Sequence, residues 1–110
     1  VLDGLYFDFD SATLQPRSRP ALETVATYLA AHPERAFHVV GHTDARGALG
    51  YNRELSQARA QAVVDALVND FGVARARLAA HGVGPLAPVF SNATDAGRGR
   101  NRRVELVERP

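Results

Sequence analysis

Cysteine and lysine are absent from this 110-residue chain, and it has no long apolar run. Without cysteine, neither a disulfide framework nor thiolate chemistry is available. No apolar run approaches the roughly 18–20 residues that a membrane-spanning helix needs. The first ten residues lack the charged and then apolar pattern of a signal peptide. These absences exclude disulfide-stapled folds, cysteine enzymes and spanning helices, and they leave the cell compartment open.

Because lysine is missing, all thirteen basic residues are arginine, and the net charge is +1. Arginine favours bidentate contact with carboxylates or phosphates, although the bias of a source genome would give the same composition. Residues 1–70 carry nine acids and six arginines (−3), and residues 71–110 carry three and seven (+4). The positive charge of the chain is therefore concentrated in residues 71–110, and a binding role for this basic end has to be weighed.

The length and composition favour a single domain. A chain of 110 residues with 45% hydrophobic residues can bury a core without staples. It contains no internal repeat, and it opens almost directly into a predicted strand. We therefore expect one domain over residues 1–110, excised from a longer protein whose other part holds any targeting signal or anchor.

Strand and helix signals alternate along the chain. Leu5, Phe7 and Phe9 alternate with polar residues, which is typical of a half-buried strand. Asn52 is a reasonable N-cap for a long helix that ends at Phe71-Gly72. The predicted elements are strands at 5–9, 37–41, 78–83 and 104–107, a helix from Pro16 or Pro20 to before His32, a helix at 52–70, and a long loop at 91–101. This βαβαββ order predicts an α+β, two-layer sandwich with helices packed on one face of a small mixed sheet.

Arg59 interrupts the apolar stripe of the long helix. At 100° per residue, one face is formed by Leu55, Ala62, Val63, Ala66 and Leu67. Arg59 projects into the middle of that face, and burying an unpaired guanidinium would cost several kcal/mol. Something negative must therefore meet it, and Asp44, in the loop before the helix, is the nearest candidate upstream. Two arrangements fit equally: an internal salt bridge, or a pocket in which a zwitterionic ligand offers its carboxylate to Arg59 and its ammonium to Asp44.

Metal and catalytic sites find little support in the sequence. His38, His42 and Asp44 are spaced two apart, but there is no HExxH and no further ligand cluster, so we expect solvated or backbone-bonded histidines. No GxSxG, P-loop or paired-glutamate motif appears either. An amidase or glycan-cleaving enzyme would require a metal or an acid/base carboxylate pair that the sequence does not reveal. We therefore expect no cofactor, no metal and no enzymatic activity.

The arginine-rich stretch Gly97–Arg103 is the best argument for a nucleic-acid partner, because clustered arginines displace counterions from phosphates. No aromatic residue is interleaved with these arginines, and the overall charge is near neutral. We expect no nucleic-acid binding.

Three motifs together resemble the OmpA-like peptidoglycan-binding domain. They are FDFDSATL (7–14), GHTDARGALGYNRELSQARA (41–60) and GRGRNRRVEL (97–106), and they span essentially the whole chain in the family's order. The resemblance implies the βαβαββ sandwich and non-covalent anchoring of an envelope protein to the cell wall. The family occurs at the periplasmic end of porins, Pal-type lipoproteins and MotB-like stator proteins. The implied location is therefore periplasmic, with any membrane attachment through segments outside these residues.

The resemblance also implies site residues. Asp44 and Arg59 match the family pair that grips the diaminopimelate side chain of the peptidoglycan stem peptide. Asp10, Asn52 and Arg102 match secondary ligand-facing positions. Each of these three has a plainer interpretation: a loop-ordering carboxylate, an N-cap and a strand-end charge, respectively. The alternative function is an envelope protein–protein interaction module in which the Asp44 and Arg59 pair is purely structural.

Overall fold

The computed structural model of the protein describes residues 2–110, which form three α-helices and three β-strands. In chain order these are α1 (Arg19–Ala31), β1 (Ala36–His42), α2 (Leu49–Phe71), β2 (Leu78–Gly84), α3 (Asp95–Asn101) and β3 (Arg103–Arg109). Short 3-10 turns, Pro16–Ser18 and Arg75–Arg77, precede α1 and β2. Within the described range, no helix combines the length and the apolar character needed to cross a bilayer.

The sheet is mixed, with the strand order β2-β1-β3. The central strand β1 runs parallel to β2, with Phe37 opposite Leu78, and antiparallel to β3, with Val39 opposite Leu106. Helices α1 and α2 lie on one face of this sheet and share a core with it. That core comprises Leu22, Val25, Leu29, Phe37, Val39, Ala60, Val63, Val64, Leu67, Val73, Leu78 and Val104. The predicted α+β class, with helices on one face of a small mixed sheet, is confirmed.

Helix α2 lies unusually close to the sheet, because two strand positions carry no side chain. A Cβ at Gly41 would lie 2.3 Å from the Ser56 carbonyl oxygen, and one at Gly82 would lie 2.1 Å from the main-chain nitrogen of Gln57. Helix side chains then bond to the strand: Gln57 accepts from Gly82 N–H at 2.8 Å, and Ser56 Oγ accepts from Gly84 N–H at 3.0 Å. This contact fixes the first half of α2 over the ends of β1 and β2.

The boundaries of α1 and α2 follow local signals at three of their four ends. Helix α1 starts after Pro16–Ser18 and ends at Ala31, before His32 and Pro33, as predicted. Helix α2 stops at Phe71, and Gly72 adopts φ +70° in the left-handed region that favours glycine. Its start differs, because α2 begins at Leu49 with Ala48 at the N-cap position. The prediction that Asn52 caps this helix is therefore wrong.

The predicted strand at 5–9 is also wrong. The backbone of residues 6–8 is hydrogen-bonded to the segment just downstream: Asp8 N–H donates to Thr13 O at 2.9 Å, and Tyr6 O accepts from Gln15 N–H at 2.8 Å. The segment therefore folds back on itself in a hairpin-like loop, and Phe9 at its tip is 98% exposed. The alternation of apolar and polar residues at 5–9 correctly indicated an extended backbone. It did not indicate that this backbone pairs with residues 13–15 rather than with the sheet. One bond, from Leu2 N–H to Val104 O at 2.8 Å, ties this region to β3.

The predicted loop at 91–101 contains the short helix α3. Thr94 caps it by accepting a hydrogen bond from Gly97 N–H at 3.0 Å. The two glycines in this stretch lower helix propensity and hid the helix from pattern analysis. Gly97 is needed there, because a Cβ would lie 1.8 Å from the Ser91 carbonyl oxygen.

Candidate functional site

A partly open groove of about 1070 Å³ lies where the N-terminal hairpin-like loop, the β1–α2 loop, the first half of α2 and the α3–β3 junction meet. All five predicted site residues line it: Asp10, Asp44, Asn52, Arg59 and Arg102. They come from four separate segments, so the fold brings together positions as far apart in sequence as 10 and 102.

Asp44 is held by the loop that follows β1. It is only 7% exposed, and its Oδ1 accepts the Arg46 N–H at 2.9 Å while its Oδ2 accepts Arg102 Nη1 at 2.5 Å. Burial alone would raise the pKa of Asp44, but the Arg46 amide and the Arg102 guanidinium outweigh it and lower the pKa below its ordinary value. The carboxylate is therefore ionised at neutral pH and fixed in position.

Arg59 lies at the edge of the buried face of α2. The buried residues of this helix are Asn52, Ser56, Ala60, Val63, Val64 and Leu67. The observed face is thus rotated slightly from the predicted one, and Arg59 is half-buried and lines the groove. The guanidinium donates from Nε to the Ser11 carbonyl oxygen at 2.8 Å and lies 5.0 Å from the centre of the Phe7 ring.

No ion pair joins Arg59 to a carboxylate in the part of the chain that the structure describes. Asp44 pairs with Arg102 instead, so the first of the two predicted arrangements, an internal Asp44–Arg59 salt bridge, is wrong. Burial lowers the pKa of Arg59, and Tyr51 and Asp10 nearby oppose this shift without contacting the guanidinium as a salt bridge. An arginine remains charged in either case, so the groove contains a half-buried cation, Arg59, and an ionised carboxylate, Asp44, that is paired with Arg102.

The secondary positions have distinct local roles. Asn52 is buried, and its side-chain amide donates to the Arg46 carbonyl oxygen at 2.5 Å, which ties the loop carrying Asp44 to α2. Asp10 has φ +53°, in the left-handed region, and accepts a hydrogen bond from the Tyr51 hydroxyl. That bond to Asp10 raises the pKa of Tyr51. Arg102 is half-exposed and acts through Asp44.

Three contacts at the site were missed from the sequence: the Ser11 carbonyl and the Phe7 ring beside Arg59, and the Tyr51 hydroxyl on Asp10. The sequence placed Phe7 in a strand, whereas the structure places it in the hairpin-like loop, where its ring lies beside the Arg59 guanidinium. Tyr51 and Ser11 both fall inside the motifs quoted above. Their neighbourhood was therefore marked by the sequence, but their contacts were not.

Asn101, also unforeseen from the sequence, supports the loop that carries Val89 and Phe90 at the groove. Asn101 is fully buried, and its Oδ1 accepts the Val89 and Phe90 N–H groups at 2.8 and 3.0 Å. Its Nδ2 donates to Phe90 O at 2.9 Å and Asn92 Oδ1 at 2.8 Å. One side chain thus satisfies four groups and holds the loop that carries Val89 and Phe90 against the groove.

The histidines do not gather into a metal centre of three or more ligands anywhere in residues 2–110. His42 Nε2 lies 2.8 Å from Glu105 Oε1. Burial, and then the nearby Arg103, lower the pKa of His42, while Glu105 opposes this shift. His38, His42 and Asp44 therefore contact three different residues: His81, Glu105 and Arg102, respectively.

Comparison with known proteins gives concordant matches. A family model described as the OmpA family matches residues 6–102. Outer membrane porin F of Pseudomonas fluorescens is 46% identical over 99 residues, covering 90% of this chain and 30% of the porin. Peptidoglycan-binding protein ArfA of Mycobacterium tuberculosis is 44% identical over 101 residues, covering 92% of this chain and 31% of ArfA.

A solved structure shares the architecture. The peptidoglycan-associated lipoprotein from Burkholderia pseudomallei superimposes with a TM-score of 0.83 at 40% sequence identity. The match covers 96% of this chain and 88% of that one. By contrast, the chain spans about a third of the length of porin F and of ArfA.

Proposed function

This chain belongs to the OmpA family, and from that premise we propose that it binds peptidoglycan non-covalently through the diaminopimelate of the stem peptide. Diaminopimelate carries an amine and a carboxylate at the end of its side chain. In the proposed complex, the carboxylate meets Arg59 and the ammonium meets Asp44. The role of the domain is then to anchor an envelope protein to the cell wall.

The observation that carries this proposal is the state of Arg59. Its guanidinium is half-buried in the groove and has one main-chain acceptor, the Ser11 carbonyl, yet no carboxylate among the described residues forms a salt bridge with it. A carboxylate arriving from a ligand would form charge-assisted, bidentate bonds with the remaining N–H groups. Asp44, already ionised and facing the same groove, supplies the complementary charge.

The other groove residues take supporting roles in the proposal. Asn52 holds the Asp44 loop, and Arg102 fixes one carboxylate oxygen of Asp44 and leaves the other toward Arg46. Asp10 and Tyr51 form a polar rim near Arg59. We assign to these residues the orientation of the clamp and contacts with the peptide around diaminopimelate.

Similarity to named proteins supports the cell-wall partner and its compartment. One solved relative is a peptidoglycan-associated lipoprotein, and another is described as the cell wall anchor of the T6SS from Pseudomonas aeruginosa, 40% identical with a TM-score of 0.79. Peptidoglycan lies in the periplasm in envelopes that have an outer membrane. We therefore propose a periplasmic location, with attachment to a membrane through a segment outside these 110 residues.

Binding, rather than bond cleavage, is the proposed activity. The polar groups of the groove are engaged in positioning bonds: Asp44 with Arg102 and Arg46, and Asp10 with Tyr51. Such a set recognises charge and shape. Incubating the purified chain with cell-wall material would, on this proposal, release no soluble fragments, and release that chelator abolishes would assign an enzyme instead.

The experiment that tests the ligand is a calorimetric titration with soluble stem peptides. We expect the diaminopimelate-type peptide to bind roughly 10- to 100-fold more tightly than the lysine-type peptide, which lacks the distal carboxylate and so the charge-assisted bonds to Arg59. Arg59→Ala should abolish this preference, and Arg59→Lys should restore only part of it, because an ammonium cannot fork a carboxylate.

A folding control separates recognition from stability. Thermal unfolding of Arg59→Ala should remain cooperative, because Arg59 lies at the edge of the core. Equal affinity for both peptides, or unchanged binding by a folded Arg59→Ala variant, would contradict the proposed clamp.

A further inference from the structure

Two histidines meet on the sheet face opposite α1 and α2. His38 Nδ1 lies 2.8 Å from His81 Nε2, and the ring centroids are 4.7 Å apart with the planes inclined at 63°. The two residues are 43 positions apart in sequence, so no local pattern could pair them. The sequence spacing grouped His38 with His42 and Asp44, and the structure gives it His81 instead.

The backbone holds this pair rigidly. His38 is on the central strand β1 and His81 on the parallel strand β2, where Val40 pairs with His81 and His38 with Ala79. The two rings are therefore diagonal neighbours on one face of a hydrogen-bonded sheet. His38 is partly exposed and His81 is exposed, so the pair lies at the surface of the sheet.

We propose that His38 and His81 form a two-histidine binding site for a divalent transition-metal ion such as Ni²⁺, Cu²⁺ or Zn²⁺. Imidazole nitrogens bind zinc at about 2.0–2.1 Å, and two such ligands on adjacent corners of the coordination sphere lie about 3 Å apart. The separation of 2.8 Å already approaches that value. Water completes the remaining positions on the open side.

The proton balance of binding is simple. In the metal-free pair, one ring donates its N–H to the lone pair of the other. In the bound pair, both facing nitrogens donate lone pairs to the ion, and each ring carries its proton on its other nitrogen. One histidine changes tautomer, and no other covalent bond changes.

The site is independent of the peptidoglycan groove. Neither His38 nor His81 lines that groove. Loading the histidine pair should therefore leave stem-peptide affinity unchanged. Failure of the metal proposal would not bear on the proposed function, nor the reverse.

The test is a calorimetric titration of the tag-free chain with NiCl₂ and with ZnCl₂, using MgCl₂ as the hard-ion control. We expect one Ni²⁺ or Zn²⁺ ion per chain and no heat of binding with Mg²⁺, which prefers oxygen ligands. His81→Gln and His38→Gln should each weaken binding by at least about tenfold, since even outer-shell changes cost that much.

The control variant is His32→Gln, because His32 packs on Tyr28, with ring centroids 4.7 Å apart, away from the pair. It should bind as tightly as the wild type. If His38→Gln fails to fold, the exposed His81→Gln decides the question. Wild-type affinity in a folded His81→Gln, or loss of binding in His32→Gln, would overturn the proposal.

Discussion

The Asp44 carboxylate occupies a buried position that nevertheless favours its charged form. Hydrogen bonds from the Arg46 amide and the Arg102 guanidinium compensate for its loss of water. The two members of this ion pair differ in exposure: Asp44 is buried, whereas the Arg102 side chain is 49% exposed. The stabilisation that Asp44 provides should therefore come mainly from the bonds to the carboxylate rather than from unscreened attraction.

Replacing Asp44 should give a pH-dependent loss of stability. The folded-state pKa of Asp44 is lowered, so its contribution is present above the unfolded-state pKa of about 4 and is lost as the pH falls through the folded pKa. We expect Asp44→Asn to lower the free energy of unfolding by about 1–2 kcal/mol at pH 7. Denaturant unfolding of wild type and variant between pH 7 and pH 2 measures this difference. A difference that stays constant over that range would contradict the assignment.

The groove position of Arg59 depends on tertiary contacts that lie far from it in sequence. Its charge at an otherwise apolar helix position predicted a binding site, and the same pattern suggested Asp44 as a direct partner. Among the described residues no carboxylate forms an ion pair with Arg59; the helix is turned so that Arg59 lies at the groove, where it contacts the Ser11 carbonyl and the Phe7 ring. Both contacts come from the N-terminal hairpin-like loop, whose path no local pattern specified.

At the scale of elements, the contact between α2 and the sheet positions the site. Gly41 and Gly82 allow the helix backbone to approach β1 and β2, and Ser56 and Gln57 then bond to β2. Arg59 lies about one turn beyond Ser56 on α2, so its position in the groove depends on this packing. The glycines are therefore indirect determinants of the site geometry.

Gly82→Ala should be strongly destabilising. The new Cβ would lie 2.1 Å from the main-chain nitrogen of Gln57 and 2.6 Å from the Cα of Gln57. Both are backbone atoms of α2 and cannot move independently of the helix. We expect a loss of about 2–4 kcal/mol in the free energy of unfolding, typical of severe overpacking.

Gly50→Ala provides the matched control. Gly50 lies in the first turn of α2, and a methyl group added there would have no heavy atom within 4 Å beyond its chain neighbours and the adjacent backbone of its own helix. Alanine at this position should stabilise the protein by up to about 1 kcal/mol through helix propensity. Chemical denaturation of both variants measures the two effects, and similar values for the two substitutions would contradict the close-packing account.

Elements whose signals are local were predictable from sequence, and elements defined by tertiary contact were not. The three sheet strands and the end of α2 at Gly72 follow from apolar runs and a left-handed stop. Helix α3 depends on Gly97 fitting against Ser91, and the hairpin-like loop depends on pairing within residues 6–15. The candidate site draws on both kinds of element: the five predicted residues line one groove, but the direct Asp44–Arg59 contact expected from the sequence is absent from the described residues.

The molecule carries two separate surfaces: the groove beside the first half of α2, and the histidine pair on the sheet face opposite the helices. The proposed partner of the groove is a polymer with many identical stem peptides. A protein tethered near such a polymer can bind tightly through a modest single-site affinity, because rebinding is effectively intramolecular.

A tandem fusion of two copies of the chain should reveal this avidity. With a flexible linker long enough to reach neighbouring stem peptides, retention on insoluble peptidoglycan should exceed that of a single copy by roughly 10²- to 10⁴-fold. Introducing Arg59→Ala into one copy should return retention to the single-copy level. A sedimentation assay measures retention, and a tandem that binds no better than one copy would contradict binding at repeated, independent sites.

The most direct measurement is a crystal structure of the chain with a diaminopimelate-containing stem peptide. The proposed clamp predicts the distal carboxylate of diaminopimelate against the Arg59 guanidinium and its ammonium against the Asp44 carboxylate, within one groove. Peptide bound outside that groove, or bound in it with neither group facing Arg59 and Asp44, would contradict the account.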